Sequence, residues 1–170
     1  MSDVNGSVII TAEFLQKLGV PYSSAENIAA QLSRRFVNGT GDNQADAVVK
    51  FQVVPGASAT VEIDLDDGTL TDIRGTAVTF TQIRGFVFWA DTANADAVHL
   101  KHGAATPWTT GYLKGTAPEV PIPPNGYIVG ICPKASTGVW TVTAGSATIG
   151  FDNQNGAGAG TVTGIIWGKD

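Results

Sequence analysis

A chain of 170 residues can form one domain with a full core plus an appendage, burying about 70% of its unfolded surface with no metal or disulfide staple. Only 15% of the residues are charged against 43% apolar, where about a quarter charged is usual, so part of the outer surface is expected to be covered by copies of the chain or by a partner. The net charge of −5, from 15 acidic and 10 basic residues with Arg34-Arg35 as the one adjacent basic pair, argues against DNA or RNA recognition.

In chain order, Met1-Ser2-Asp3 opens with neither a basic nor a long apolar stretch, so no secretory leader is expected. No run reaches the ~18 apolar residues of a membrane span, which predicts a soluble protein. Residues 11–19 predict a short helix: Thr11 caps it, Gly19 stops it, and Phe14, Leu15 and Leu18 fall on one face. Pro21 then breaks the chain. Residues 23–35 predict a second helix, with Ser23 and Glu26 spaced as a capping box and Ala25, Ile28, Ala29 and Leu32 at helical intervals. Arg34-Arg35 suit its C-terminal end. Helices this short do not stand alone in water, so the helical arm, residues 1–37, must dock on its own β domain or on a neighbouring subunit.

From Ala47 the apolar period becomes two. Residues 48–54 predict a strand ended by Pro55-Gly56, and Val61-Glu62-Ile63-Asp64-Leu65-Asp66 alternates as a half-buried strand does, which predicts a hairpin between them. Residues 76–90 form the longest strand-like run, with a slip of phase near Gly85 that predicts a bulge or bend. Further strands are predicted at 97–101, 108–113, 119–122, 127–132, 138–143, 147–151 and 161–167. Short strands at even spacing, with no βαβ rhythm, predict an all-β sandwich of Greek-key or jelly-roll type over residues 38–170. Cys132, between Ile131 and Pro133, has no disulfide partner in the chain and is expected in the core.

None of the chemical motifs is complete. His99 and His102 are an odd number of residues apart, so on one strand they would face opposite ways, and no further Cys or His completes a zinc set. Asp64-Leu65-Asp66-Asp67-Gly68 begins like a calcium loop, but its glycine is fifth and Gly75 stands where the closing glutamate belongs. Gly156-Ala157-Gly158-Ala159-Gly160 precedes a strand and lacks the Gly-Lys-Ser/Thr ending of a phosphate loop. Ser146 is not in a nucleophile elbow. No catalytic residue, cofactor or metal is therefore assigned. Among the aromatics, Trp89 and Trp140 read as core, whereas Trp108 in Thr106-Pro107-Trp108-Thr109-Thr110 reads as exposed.

Several segments, taken in order, resemble a group of bacteriophage virion proteins. They are Asn38-Gly39-Thr40-Gly41-Asp42-Asn43-Gln44-Ala45-Asp46, Ala59-Thr60-Val61-Glu62-Ile63-Asp64-Leu65, Leu70-Thr71-Asp72 and Val78-Thr79-Phe80-Thr81-Gln82-Ile83. Pro123-Pro124-Asn125-Gly126, Gly138-Val139-Trp140-Thr141-Val142-Thr143-Ala144-Gly145 and the glycine-rich loop into the last strand complete the likeness, which excludes the head and is weakest over residues 91–120. The resemblance implies a jelly-roll sandwich that decorates or cements a capsid, often as a trimer, or that sits elsewhere on the virion. The expectation is thus a non-enzymatic structural protein, assembled in the host cytoplasm, with itself (as a homotrimer) and the phage major capsid protein as partners, and neither nucleic acid nor membrane. Phe14, Leu15, Leu18, Ile28 and Leu32 would clamp a neighbour. The rival expectation is a receptor- or glycan-binding domain of a tail or head fibre, with Trp108 and Tyr112 at its site.

Overall fold

The computed structural model describes residues 6–17, 25–42, 44–72, 75–104, 107–108, 113, 118–132, 140–145 and 147–170. Their elements are β1 (Gly6–Lys17), β2 (Ala25–Asn38), β3 (Gln44–Ala45), β4 (Ala47–Val53), β5 (Ala59–Asp64), β6 (Gln82–Ala90), β7 (Val98–His102), β8 (Glu119–Ile122), β9 (Tyr127–Ile131), β10 (Thr148–Asn153) and β11 (Val162–Lys169). The described residues are all-β, with no helix among them.

Two four-stranded antiparallel sheets make a sandwich, one ordered β4-β11-β6-β9 and the other β5-β10-β7-β8. The pairing is nested along the chain. β4 pairs with β11, β5 with β10, β6 with β9 and β7 with β8. The expected hairpin between β4 and β5 is therefore corrected, because the two strands lie in different sheets. Pro55-Gly56 ends β4 and carries the chain across to β5. There the Asn153 side chain donates to the carbonyls of Gly56 (3.2 Å) and Gly158 (2.7 Å), tying the crossing to the glycine-rich loop.

The core lies between the sheets and is filled from alternate positions of their strands. Phe88 of β6 meets Phe151 of β10 edge to face at 5.2 Å, which joins the two layers. Phe86 stacks on Phe88 at 4.5 Å and on Trp140 at 5.6 Å, extending the aromatic column. Cys132 is buried, as expected. The longest predicted run is shorter than it reads: β6 starts at Gln82. Val78 and Phe80 are buried ahead of it on connections whose amides donate to Leu70 O (2.8 Å) and Leu65 O (2.9 Å). The predicted slip near Gly85 is a real irregularity, since Trp167 pairs with Gly85 but Gly168 pairs with Ile83, leaving Arg84 as the extra residue.

The head departs from expectation. The sequence predicts helices over residues 11–19 and 23–35, whereas β1 and β2 form an antiparallel ladder running from Gly6↔Phe36 to Lys17↔Ala25. Two physical facts favour the strand. Val8-Ile9-Ile10-Thr11 is a β-branched run, which suits an extended backbone. Phe14 to Leu18 and Ile28 to Leu32 are four residues apart, a spacing that suits a helix face but also falls on one side of a strand. Thus Ile10↔Leu32, Ala12↔Ala30 and Phe14↔Ile28 are register pairs apolar on both strands, and Thr11↔Gln31 and Glu13↔Ala29 between them carry polar residues.

Candidate functional site

The stretch at residues 38–46 joins the head to the sandwich. β2 pairs in parallel with β3 through Val37↔Gln44 and Asn38↔Ala45. The Gly39 amide donates to Ala45 O (3.2 Å), and the Gly41 amide donates to Gln44 Oε1 (2.6 Å). Gly39 has a φ of +135°, which calls for glycine, and a Cβ there would stand 2.6 Å from that same oxygen and push the Gln44 amide aside. Arg84 of the bulge is fully buried and donates from its guanidinium to Thr40 O at 2.9 Å, pinning the loop to the sheet. Burial lowers the Arg84 pKa from its ordinary value, while the Asp42 and Asp46 carboxylates act to raise it.

The outward sides of the two sheets are unlike. On the β5-β10-β7-β8 sheet one row across the strands is Thr60, Asp152, His99 and Pro121, and the next is Glu62, Gly150, Lys101 and Glu119. Lys101 Nζ lies 3.2 Å from Asp152 Oδ2, Thr60 Oγ1 donates to Asp152 Oδ1 at 2.6 Å, and His99 Nδ1 lies 3.5 Å from Glu119 Oε2. Burial acts to raise the Asp152 pKa, but the hydrogen bonds from Thr60 and Lys101 and the Lys101 charge outweigh it, so the carboxyl is held below its ordinary value.

On the β4-β11-β6-β9 sheet the corresponding rows are Val48, Trp167, Gly85 and Ile131; then Lys50, Ile165, Val87 and Val129; then Gln52, Thr163, Trp89 and Tyr127. Lys50 is the one charge in these rows. Fully buried Ala45 packs with Trp167 at the first row, beside half-buried Val48, Val87, Ile131 and Ile165. The third row opens to solvent, where Tyr127 is 66% exposed. Antiparallel sheets with one solvated side carry polar residues there. The first sheet follows that rule and the second breaks it.

The residues singled out from sequence fall elsewhere. Trp108, expected to be exposed, is 3% exposed. Its Nε1 donates to Thr141 O at 2.8 Å, and its ring meets Trp140 edge to face at 6.0 Å, so it belongs to the core. The flanking Pro and Thr residues suggested exposure, but the indole nitrogen finds a main-chain acceptor inside. Tyr112 and Leu18 lie outside the described residues, as does Ser146. Phe14 and Ile28 are brought together as register partners, Leu32 pairs with Ile10, and Leu15 pairs with Asn27 on the alternate register. Trp89, expected in the core, is half-buried on the outward side.

His99 and His102 diverge: His99 meets Glu119, while His102 Nε2 is 2.9 Å from Leu113 O. Among the described residues no group of three or more His, Cys, Asp or Glu side chains could hold a metal ion. Asp64, Asp66 and Asp67 order a turn, with Asp64 Oδ1 accepting from the Asp66 amide (3.1 Å) and Asp67 Oδ1 from the Thr69 amide (2.8 Å). The hydrogen bond between the Asp66 and Asp64 carboxyls, followed by burial and repulsion, raises the Asp66 pKa.

The apolar outward face is the feature that sequence reasoning missed. A signal for it was present. In Phe86-Val87-Phe88-Trp89, Ile165-Ile166-Trp167 and Tyr127-Ile128-Val129 both alternate positions are apolar, as expected of strands covered on both sides. No protein-family model, curated protein or solved structure matches the chain.

Proposed function

We propose that this chain is a non-enzymatic structural protein of a bacteriophage virion, a capsid cement or decoration protein that acts as a homotrimer bridging shell subunits. The observation that carries this reading is the apolar outward face of the β4-β11-β6-β9 sheet on a chain so poor in charge. Such a face is a protein interface in search of a partner of the same character, with aromatic Trp89 and Tyr127 side by side where interface hot spots are richest in such residues.

The nested strand pairing supports a jelly roll. A ribbon of four antiparallel pairs wrapped into two four-stranded sheets is the arrangement in which eight-stranded capsid and lectin domains recur. Shell stabilisation needs no reaction: an oligomer that binds only the assembled shell favours assembly by mass action. In this reading the molecule is assembled in the host cytoplasm and resides on the capsid surface, with itself and the major capsid protein as partners. The fibre-tip alternative draws its site from Trp108 and Tyr112, and the burial of the Trp108 ring favours assembly instead.

Copy number in purified virions of the encoding phage, relative to the major shell subunit, tests the reading. A number comparable to the shell subunit is expected. A few copies, or none, would overturn the cement role.

A further inference from the structure

The head and the apolar face present complementary problems. β1 and β2 make a ladder of 12 register pairs, and a two-stranded ribbon does not hold its form alone in water; it needs a surface to lie on. At ~3.4 Å per residue it is roughly 40 Å long, about twice the ~19 Å width of a four-stranded sheet. Ile10↔Leu32, Ala12↔Ala30 and Phe14↔Ile28 are alternate register pairs of the ladder with apolar residues on both strands.

Among the described residues the face is covered at its first row. The root of the head, Ala45 of β3, rests on Trp167 and shields the first row. In the single chain Tyr127 is 66% exposed in the third row and Val54, just past β4, is 53% exposed. The strip therefore continues from a part covered by Ala45 into a part, with Trp89 and Tyr127 beside Thr163 and Gln52, that reaches solvent in the single chain.

We infer that the β1–β2 ribbon of one copy lies across the second and third rows of this face on a second copy, over Val87, Val129, Ile165, Trp89 and Tyr127. This rests on the proposed self-assembly and names the surface that receives the arm. Such a contact is heterologous, ribbon to face, and closes into a ring when each copy gives its arm to the next. Lys50 and Gln52 at the β4 end form the polar rim of the strip.

Complementation of two defective chains distinguishes this from other ways of covering the face. One chain lacks residues 1–37 and keeps the face. The other, V129E, keeps the arm and places a charge in the second row; Y127S, at a side chain already exposed, serves as a milder second variant should V129E fold poorly. Full-length chain is expected to sediment as an oligomer and each variant alone as a monomer. Equimolar mixing of the truncated chain with V129E or Y127S is expected to restore a one-to-one complex, since one intact arm meets one intact face. Two monomeric variants that stay separate on mixing would overturn the arm-on-face contact, and so would a truncated chain that still oligomerises. Either result leaves self-assembly standing. A monomeric full-length chain would instead remove the assembly reading itself.

Discussion

The two sheets of this sandwich share one core and differ on their outer sides. In β5, every second residue outside the core is polar, and the row Glu62, Gly150, Lys101 and Glu119 is what water requires of an exposed sheet. In β11 and β6 the outward residues of the three rows include Ile165, Trp167, Val87 and Trp89, which water does not favour, with Thr163 the one polar side chain among them. The same chain, with the same composition to draw on, solvates one face and not the other. The difference teaches that the low charge content is local. It is concentrated on the sheet reached by the head's root, where Ala45 already covers part of the surface.

The comparison holds only while the common core holds. Phe88 connects the sheets through Phe151, and Phe88→Ala is expected to cost ~3–5 kcal/mol, read as a lower urea midpoint, and to weaken both faces together. Inside the apolar face itself, Gly85→Ala puts a Cβ 2.2 Å from Trp167 Cζ2 and 2.8 Å from Gly130 O. The indole must move, for ~1–3 kcal/mol, whereas Gly158→Ala, with open space around it, is expected to unfold as the parent does.

On the polar face, Lys101→Ala is expected to cost less than ~1 kcal/mol at neutral pH and to leave sedimentation unchanged, since the pair it breaks is partly solvated. Its pH dependence has a definite sign. The Asp152 pKa is lowered in the folded protein, so its contribution is present above the ordinary carboxyl value of 3.8 and is lost as pH falls through the lower folded value. Parent and Lys101→Ala should therefore converge in stability in acid. A constant gap across that range would contradict the assignment.

Much of the sandwich was legible because strands with one wet side announce themselves. Val61 to Asp66 alternates without a fault, and β5 follows that alternation; the slip near Gly85 is where Arg84 enters as an extra residue. The partners of the strands were not legible. Nothing local tells β4 to seek β11 across more than a hundred residues instead of β5 beyond Pro55-Gly56. The head was misread for a related reason: Phe14 and Leu18, or Ile28 and Leu32, are four residues apart, a spacing that suits one side of a helix or of a strand. Trp108 shows the limit on single residues, for its hydrogen bond to Thr141 O is made by a segment distant in sequence. The candidate site was not legible because Trp89 reads as core, although the second apolar set in Phe86 to Trp89 implies a second cover.

Sedimentation equilibrium of the full-length chain, at low and high salt, tests the central claim most directly. A face with one charge in its rows gives screening little to act on. A trimer closed by this face is expected to show a mass three times the 17.6 kDa of the chain, maintained at both salt concentrations. A mass of 17.6 kDa at every concentration would contradict it, because the apolar face would then be stable in water uncovered.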